Sequence, residues 1–150
     1  MIGLLSWAKL LGLEVVSVGK LSEYDFIYDR VHGTVPWRGE AIAVPDFADV
    51  WLMPEFGVTE TIDVRSEMLR MFPQRTVPDL CEMGVVCNHT GLRSDNPSFH
   101  APHARTLEVP EVLRPKDAGG ILSAPGTIDV FNCLRRADEQ SFAGGVFIVV

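Results

Sequence analysis

The chain has 150 residues, of which 47% are hydrophobic, so it has the size of one domain with enough apolar residues for its own core. Its 13 basic and 20 acidic residues give a formal net charge of −7, which argues against nucleic acid as a partner. The three cysteines form no CxxC pair and the N-terminus has no cleavable secretion signal, so we expect a reduced, cytoplasmic protein.

The first predicted elements are a helix followed by a strand. The helix is indicated by apolar residues at helical spacing and a stopping glycine, namely Leu4, Leu5, Ala8, Leu11 and Gly12. Residues 14–18 then form a short β-branched run that predicts a strand, with Lys20 at its end. Lys9 interrupts the opening apolar run, which is far shorter than the ~20 residues of a membrane span, so no membrane partner is expected.

The next segments predict a β-hairpin and a second helix. Residues 24–45 alternate aromatic or β-branched residues with polar ones, and have turn signals at residues 32–33 and 38–39. Residues 62–72 keep apolar residues at helical spacing, and Pro73 is expected to end that helix.

The stretch VPDLCEMGVVCNHTGL, residues 77–92, concentrates polar and sulfur-containing side chains and predicts a third helix that Gly91 ends. Cys81 and Cys87 would be separated by about 240° around such a helix, so they cannot chelate one metal ion. Cys87 shares the predicted core side with Leu80 and Met83 and is therefore interpreted as a small buried hydrophobe.

Another side of this helix contains Glu82 and His89, with Asn88 beside them. Glu82 and His89 would lie about 10 Å apart along the axis, so they could flank one small polar ligand without touching each other. A hydrogen-bonded structural role explains these polar side chains equally well.

The rest of the chain predicts a loop, a helical turn and two strands. Residues 94–105 show no periodicity, so we expect a solvated loop containing His100 and His103, whose spacing matches no zinc framework. A helical turn is expected at residues 109–113, and strands at 127–134 and 146–150. The sequence has no GxGxxG fingerprint and no GxSxG elbow.

Together these elements predict an α+β (α/β-type) fold in which helices pack on a mixed β-sheet, without a Rossmann domain. Basic residues cluster in the C-terminal third of the chain, at Arg114, Lys116, Arg135 and Arg136. They could hold an anionic substrate or line a solvated edge.

Several segments in order, GLEVVSVGK, VPDLCEMGVVCNHTGL, LRPKDAGGIL and DVFNCLRRADEQSFAGGVFIVV, resemble homoserine-dehydrogenase-like oxidoreductases that end in a SAF domain. That family includes the 1-deoxy-D-xylulose 5-phosphate reductoisomerase-like enzymes. The chain is similar only to the middle, substrate-binding and catalytic domain. The resemblance implies that a Rossmann domain outside this chain binds NAD or NADP, so the chain alone is expected to bind no cofactor and to be inactive.

The resemblance implies the catalytic residues Lys20, Glu82 and Asn88, and we expect His89, Arg114 and Lys116 to bind a small-molecule substrate. Relatives often have a small residue at the position of His89, which weakens a general catalytic role there. Both chain ends look cut from a larger protein, and a homo-oligomer is possible.

Two alternatives remain open at this point. The first is a non-catalytic small-molecule-binding or dimerisation module that retains the fold. The second is a metal-dependent lyase or hydrolase that uses Glu82, His89, His100 and His103, although these residues match no known metal-site spacing.

Overall fold

The computed structural model describes residues 1–54 and 57–150. The strands are β1 (Ser17–Leu21), β2 (Phe26–Ile27), β3 (Thr34–Trp37), β4 (Glu40–Ala43), β5 (His103–Ala104), β6 (Thr127–Arg135) and β7 (Val146–Val149). The helices are α1 (Ile2–Leu10), α2 (Val58–Met68), α3 (Val77–Thr90) and α4 (Val109–Val112). No helix in this described part of the chain is both long enough and apolar enough to cross a membrane.

The long strand β6 organises a mixed sheet, which confirms the predicted α+β fold class. Strands β1, β2 and β5 pair with β6 in parallel, and β7 pairs with β1 in antiparallel orientation. Strands β3 and β4 form a separate antiparallel hairpin, as predicted. Because parallel strands need crossover connections, helices lie between β1, β5 and β6 in the sequence.

Successive side chains of β6 point to opposite faces of the sheet, so the hydrophobic core has a part on each face. Ile128 and Val130 pack with Met83 and Val86 of α3 on one face. Phe131 and Cys133 pack with residues of α2 and α4 on the other face. A third, aromatic cluster underlies the β3–β4 hairpin and includes Phe26, Phe47, Trp51 and Phe72.

Strand β1 lies three residues later than predicted, so Gly19 and Lys20 are inside the strand rather than at its end. A Cβ atom on Gly19 would lie 1.8 Å from the carbonyl oxygen of Asp129 and 2.7 Å from the ring of Phe147. The glycine therefore allows close neighbours on both sides, and strand pairing continues through it.

Helix α2 begins and ends four residues earlier than predicted. It starts after Gly57, which has a left-handed conformation with φ of 89°, and it ends before Leu69. Leu69 and Phe72 then belong to the aromatic cluster below the hairpin, so packing rather than Pro73 determines where the helix ends.

The other predicted elements are confirmed. Helix α1, the turn at α4, and strands β6 and β7 lie close to their predicted positions. Helix α3 ends at Gly91, whose φ of 72° is the left-handed conformation that favours glycine after a helix. Met83 and Val86 are buried and Cys87 is half-buried against the same core, as predicted for that side of the helix.

Candidate functional site

Lys20 is the centre of a compact ionic cluster between β1 and α3. Its Nζ atom donates a hydrogen bond to Oε2 of Glu82 at 2.8 Å and another to Glu23. The same nitrogen lies 3.0 Å from Oδ1 of Asp79. That buried oxygen accepts no hydrogen bond of good geometry from the described residues, so the contact with Asp79 is primarily ionic.

The local structure explains why these four side chains meet. Lys20 alternates with Gly19 and Leu21 along β1, and its side chain lies on the sheet face that α3 covers. Asp79 and Glu82 are three residues apart in α3, so they share one side of the helix.

The cluster consists of a buried inner pair and two outer carboxylates. The side chains of Lys20 and Asp79 are both only 2% exposed. Those of Glu23 and Glu82 are 44% and 58% exposed. The inner pair is therefore held by its surroundings, whereas both outer carboxylates are in contact with solvent.

The electrostatic environment keeps Lys20 protonated. Burial alone lowers the pKa of Lys20, but the hydrogen bonds to Glu23 and Glu82 and the contact with Asp79 outweigh it, and the pKa is raised above its usual value. The side chain is therefore an ammonium group, which can polarise an oxygen atom but cannot act as a neutral amine nucleophile.

The structure brings only Lys20 and Glu82 together among the predicted site residues. Asn88 is exposed on α3, about 9 Å along the axis from Glu82 and about 240° around it. His89 is also exposed, one residue further on. Arg114 forms an ion pair with Glu111 at 2.6 Å, and Lys116 lines a cleft with His100.

His100 lies in an irregular segment, as predicted, but its side chain is only 25% exposed, so the prediction of a solvated position is wrong. Its Nδ1 atom lies 2.6 Å from Oδ2 of Asp129, a fully buried carboxylate in the middle of β6. Asp129 also accepts hydrogen bonds from the backbone N–H groups of His100, Ala101 and Val130, at 3.0, 3.2 and 2.8 Å. The hydrogen bond to Asp129 raises the pKa of His100, although burial opposes this effect.

The sequence contains a signal for one member of this pair. Asp129 interrupts the apolar strand TIDVFNCL, and a buried carboxylate requires hydrogen-bond donors from elsewhere in the chain. Nothing in the sequence identifies His100 as one of those donors.

The same prediction is also wrong for His103, which lies in β5 and is fully buried. Its ring packs edge-on against Phe26, with a centroid distance of 4.7 Å. Neither ring nitrogen has a hydrogen-bond partner among the described residues. Burial, together with the nearby charges of Arg65 and Arg75, lowers the pKa of His103 to about 3, so the ring is neutral.

The cysteines show no feature of a metal or nucleophile site. Cys81 is exposed, and burial raises the pKa of the half-buried Cys87. Burial likewise raises the pKa of Cys133 to about 11, so its thiol stays protonated. Within residues 1–54 and 57–150, no three His, Cys, Asp or Glu side chains are arranged to hold a metal ion.

Comparison with known families identifies the chain. A family described as "Oxidoreductase DRL, catalytic domain" matches residues 1–150, the full length of the sequence. No curated protein is similar enough in sequence to serve as a relative. The chain therefore belongs to the family of oxidoreductase DRL catalytic domains.

Proposed function

We propose that this chain is the substrate-binding and catalytic domain of an NAD(P)-dependent oxidoreductase related to homoserine dehydrogenase and 1-deoxy-D-xylulose 5-phosphate reductoisomerase. The observation that carries the proposal is the hydrogen bond between the buried Lys20 ammonium and the largely exposed Glu82 carboxylate, in a chain of an oxidoreductase family. A buried cation beside an exchangeable carboxylate is suited to binding an alcohol or carbonyl oxygen.

The residues of this chain do not fit a nicotinamide cofactor. The sequence has no GxGxxG fingerprint, and β1 leads into β2 rather than into a helix whose N-terminus could hold a pyrophosphate. We assign cofactor binding, and the hydride chemistry that it supplies, to a Rossmann domain of the assembled enzyme. The proposed family members also contain a SAF domain.

The proposed roles in this chain follow from the geometry of the cluster. A substrate oxygen displaces Glu82 from Lys20 and accepts a hydrogen bond from the ammonium group. Glu82 stays close enough to accept the proton of a substrate hydroxyl and to return it in the reverse reaction. Asp79 is a positioning residue, because it holds the buried ammonium in place without reaching solvent.

The charge of the cluster restricts the substrate group that can approach it. Three carboxylates surround one ammonium, which leaves a net negative charge around Lys20. A neutral hydroxyl or carbonyl group is therefore favoured there, and a negatively charged substrate group is repelled. The catalytic role of Asn88 stays a prediction, as do the substrate contacts of His89, Arg114 and Lys116.

The test uses NMR titrations of the isotope-labelled chain with NADPH and with a panel of small hydroxy and oxo compounds. We expect no saturable NADPH binding, and we expect at least one panel compound to shift the amide signals of residues 20–24 and 79–83. Glu82→Gln should weaken that binding without unfolding the chain, because Glu82 is largely exposed.

The control is Glu14→Gln, since Glu14 is exposed and precedes β1. Saturable NADPH binding would show that the cofactor assignment is wrong. Compound binding that is equally strong in wild type, Glu82→Gln and Glu14→Gln would show that the Lys20 cluster is not the substrate site.

A further inference from the structure

A second polar centre lies on the opposite face of the sheet from Lys20. Asp129 is the register partner of Gly19, the residue before Lys20, and successive side chains of a strand point to opposite faces. The His100 ring held by Asp129 lines a cleft of about 320 Å³ between α2 and the segments around residues 75 and 116. Ile62 and Ile121 form its apolar part. This volume suits a small molecule.

The segment that presents His100 is locked in position. Phe99 and Ala101, on either side of His100, have φ values of 59° and 48°, a conformation that residues other than glycine rarely adopt. The Arg75 guanidinium holds this segment by donating hydrogen bonds to the carbonyl oxygens of Ser98 at 2.9 Å and His100 at 2.7 Å. A strained backbone conformation that is held by surrounding contacts is often found at functional sites.

Three basic side chains and one carboxylate line the cleft, in a protein whose net charge is −7. His100, Arg75 and Lys116 all line it, and no described residue forms an ion pair with Arg75 or Lys116. Lys116 is close enough to His100 to oppose its protonation, so two like charges share the space. Because Arg75 and Lys116 have no carboxylate partner among the described residues, both can pair with a bound anion.

Two of the three nearby carboxylates are engaged with His100 rather than with Lys116 or Arg75. Asp129 is fully buried and engaged with His100 and the backbone. Asp95 lies 3.8 Å from Nε2 of His100, but it also accepts a hydrogen bond from the backbone N–H of Ser123 at 2.7 Å. Asp63 is the remaining carboxylate in the cleft lining, against three cationic side chains.

We propose that this cleft binds a small oxyanion, the phosphoryl, sulfate or carboxylate group of a small molecule, through His100, Lys116 and Arg75. The proposal does not rest on the role of Lys20, because the two centres lie on opposite faces of the sheet. An anion bound here is stabilised by charge-assisted hydrogen bonds to side chains that are already held in position.

The probes are inorganic phosphate, sulfate and acetate, titrated into the chain at constant ionic strength with chloride as the balancing ion. The readout is the Hε1 NMR signal of His100, identified by its loss in His100→Asn. We expect a saturable shift with at least one probe, and a roughly tenfold weaker affinity in Lys116→Gln. Lys9→Gln, on the exposed side of α1, is the matched control and should bind like wild type.

The three probes separate the possible ligand chemistries. Saturation by phosphate and sulfate assigns the cleft to tetrahedral oxyanions, and saturation by acetate alone assigns it to carboxylates. Sulfate keeps a constant charge, so its affinity should fall as pH rises through the raised pKa of His100, when the ring loses its proton. The charged groups facing the ring are Asp63, Asp95, Asp129, Lys116 and Arg75.

Two results would overturn the proposal. One is a shift of the His100 Hε1 signal that fails to saturate with any of the three probes, or that chloride alone produces equally well. The other is an affinity that is the same in Lys116→Gln and Lys9→Gln, with amide spectra showing that both variants are folded.

Discussion

Nζ of Lys20 lies 2.8 Å from Oε2 of Glu82, although 62 positions separate the two residues in the sequence. The contact exists because β1 places Lys20 on the sheet face that α3 covers. The two residues most strongly implied by the sequence resemblance are therefore direct partners, and Asp79 between them is the buried residue that the sequence did not single out.

Removing the charge of Lys20 should destabilise the fold. Lys20→Met leaves Asp79 as a buried carboxylate without its cation, which costs about 3–5 kcal/mol of unfolding free energy. Glu82→Gln removes an exposed partner and should cost about 1 kcal/mol or less. Urea denaturation of both variants tests this, and equal losses would mean that burial of the Lys20–Asp79 pair is not the determining factor.

Arg65 should be a structural rather than a functional residue. It is fully buried and donates hydrogen bonds to both carboxylate oxygens of Glu108, at 2.8 and 3.1 Å. It also donates to the carbonyl oxygens of Val50, Trp51 and His103, so all five guanidinium donors are used.

Arg65→Met should therefore lower the unfolding free energy by about 3–5 kcal/mol, since Glu108 would keep a buried charge without its cation. Arg70→Met is the matched control, because the Arg70–Glu67 pair is exposed and such pairs contribute little. Chemical denaturation of the two variants should differ strongly, and similar midpoints would contradict this role.

His103 should make the protein less stable in acid. Its folded pKa of about 3 is below the usual 6.5, so the unfolded chain binds a proton more readily. The stability that depends on the neutral His103 ring is fully present above pH 6.5. As pH falls towards 3, the free energy of unfolding decreases by at most about 1.4 kcal/mol per pH unit. His103→Gln should flatten this part of the pH–stability curve, and a curve parallel to wild type would refute the assignment.

His100 should make the protein more stable at low pH than at high pH, because its pKa is raised in the folded state. The contribution of His100 to the free energy of unfolding is complete below its pKa in the unfolded chain, near 6.5. That contribution is lost as pH rises through its pKa in the folded protein. Asp129→Asn removes the main cause, so NMR titration should show a lower pKa of His100 in that variant. An unchanged titration midpoint would mean that Asp129 does not hold the imidazolium.

Two glycines, one within α3 and one directly after it, should respond in opposite directions to substitution by alanine. Gly91 has φ of 72°, so Gly91→Ala strains the end of the helix and should destabilise the protein by about 1 kcal/mol. Gly84 is within the helix with no atom close to the position of a new Cβ. Gly84→Ala should therefore stabilise by about 0.5–1 kcal/mol, and thermal unfolding of both variants measures the difference.

The sequence by itself determined the features that depend on local periodicity. The apolar stripe of Met83 and Val86, the glycine end of α3 and the β-branched run of β6 each follow from rules for neighbouring residues. The separation of Cys81 from Cys87 also follows from helix rotation alone. These local rules were sufficient for the fold class and most of the elements.

Tertiary structure alone decided which polar side chains meet. Lys20 and Asp129 lie on opposite faces of adjacent strands, and this pairing depends on the register of β1 against β6, which no local pattern encodes. The pairing of β5 with β6 buries His103, and the contact with Asp129 holds His100, so the two rings have opposite pKa shifts. Burial and long-range ion pairing act between distant segments, so the ionic partners of a residue depend on how those segments pack.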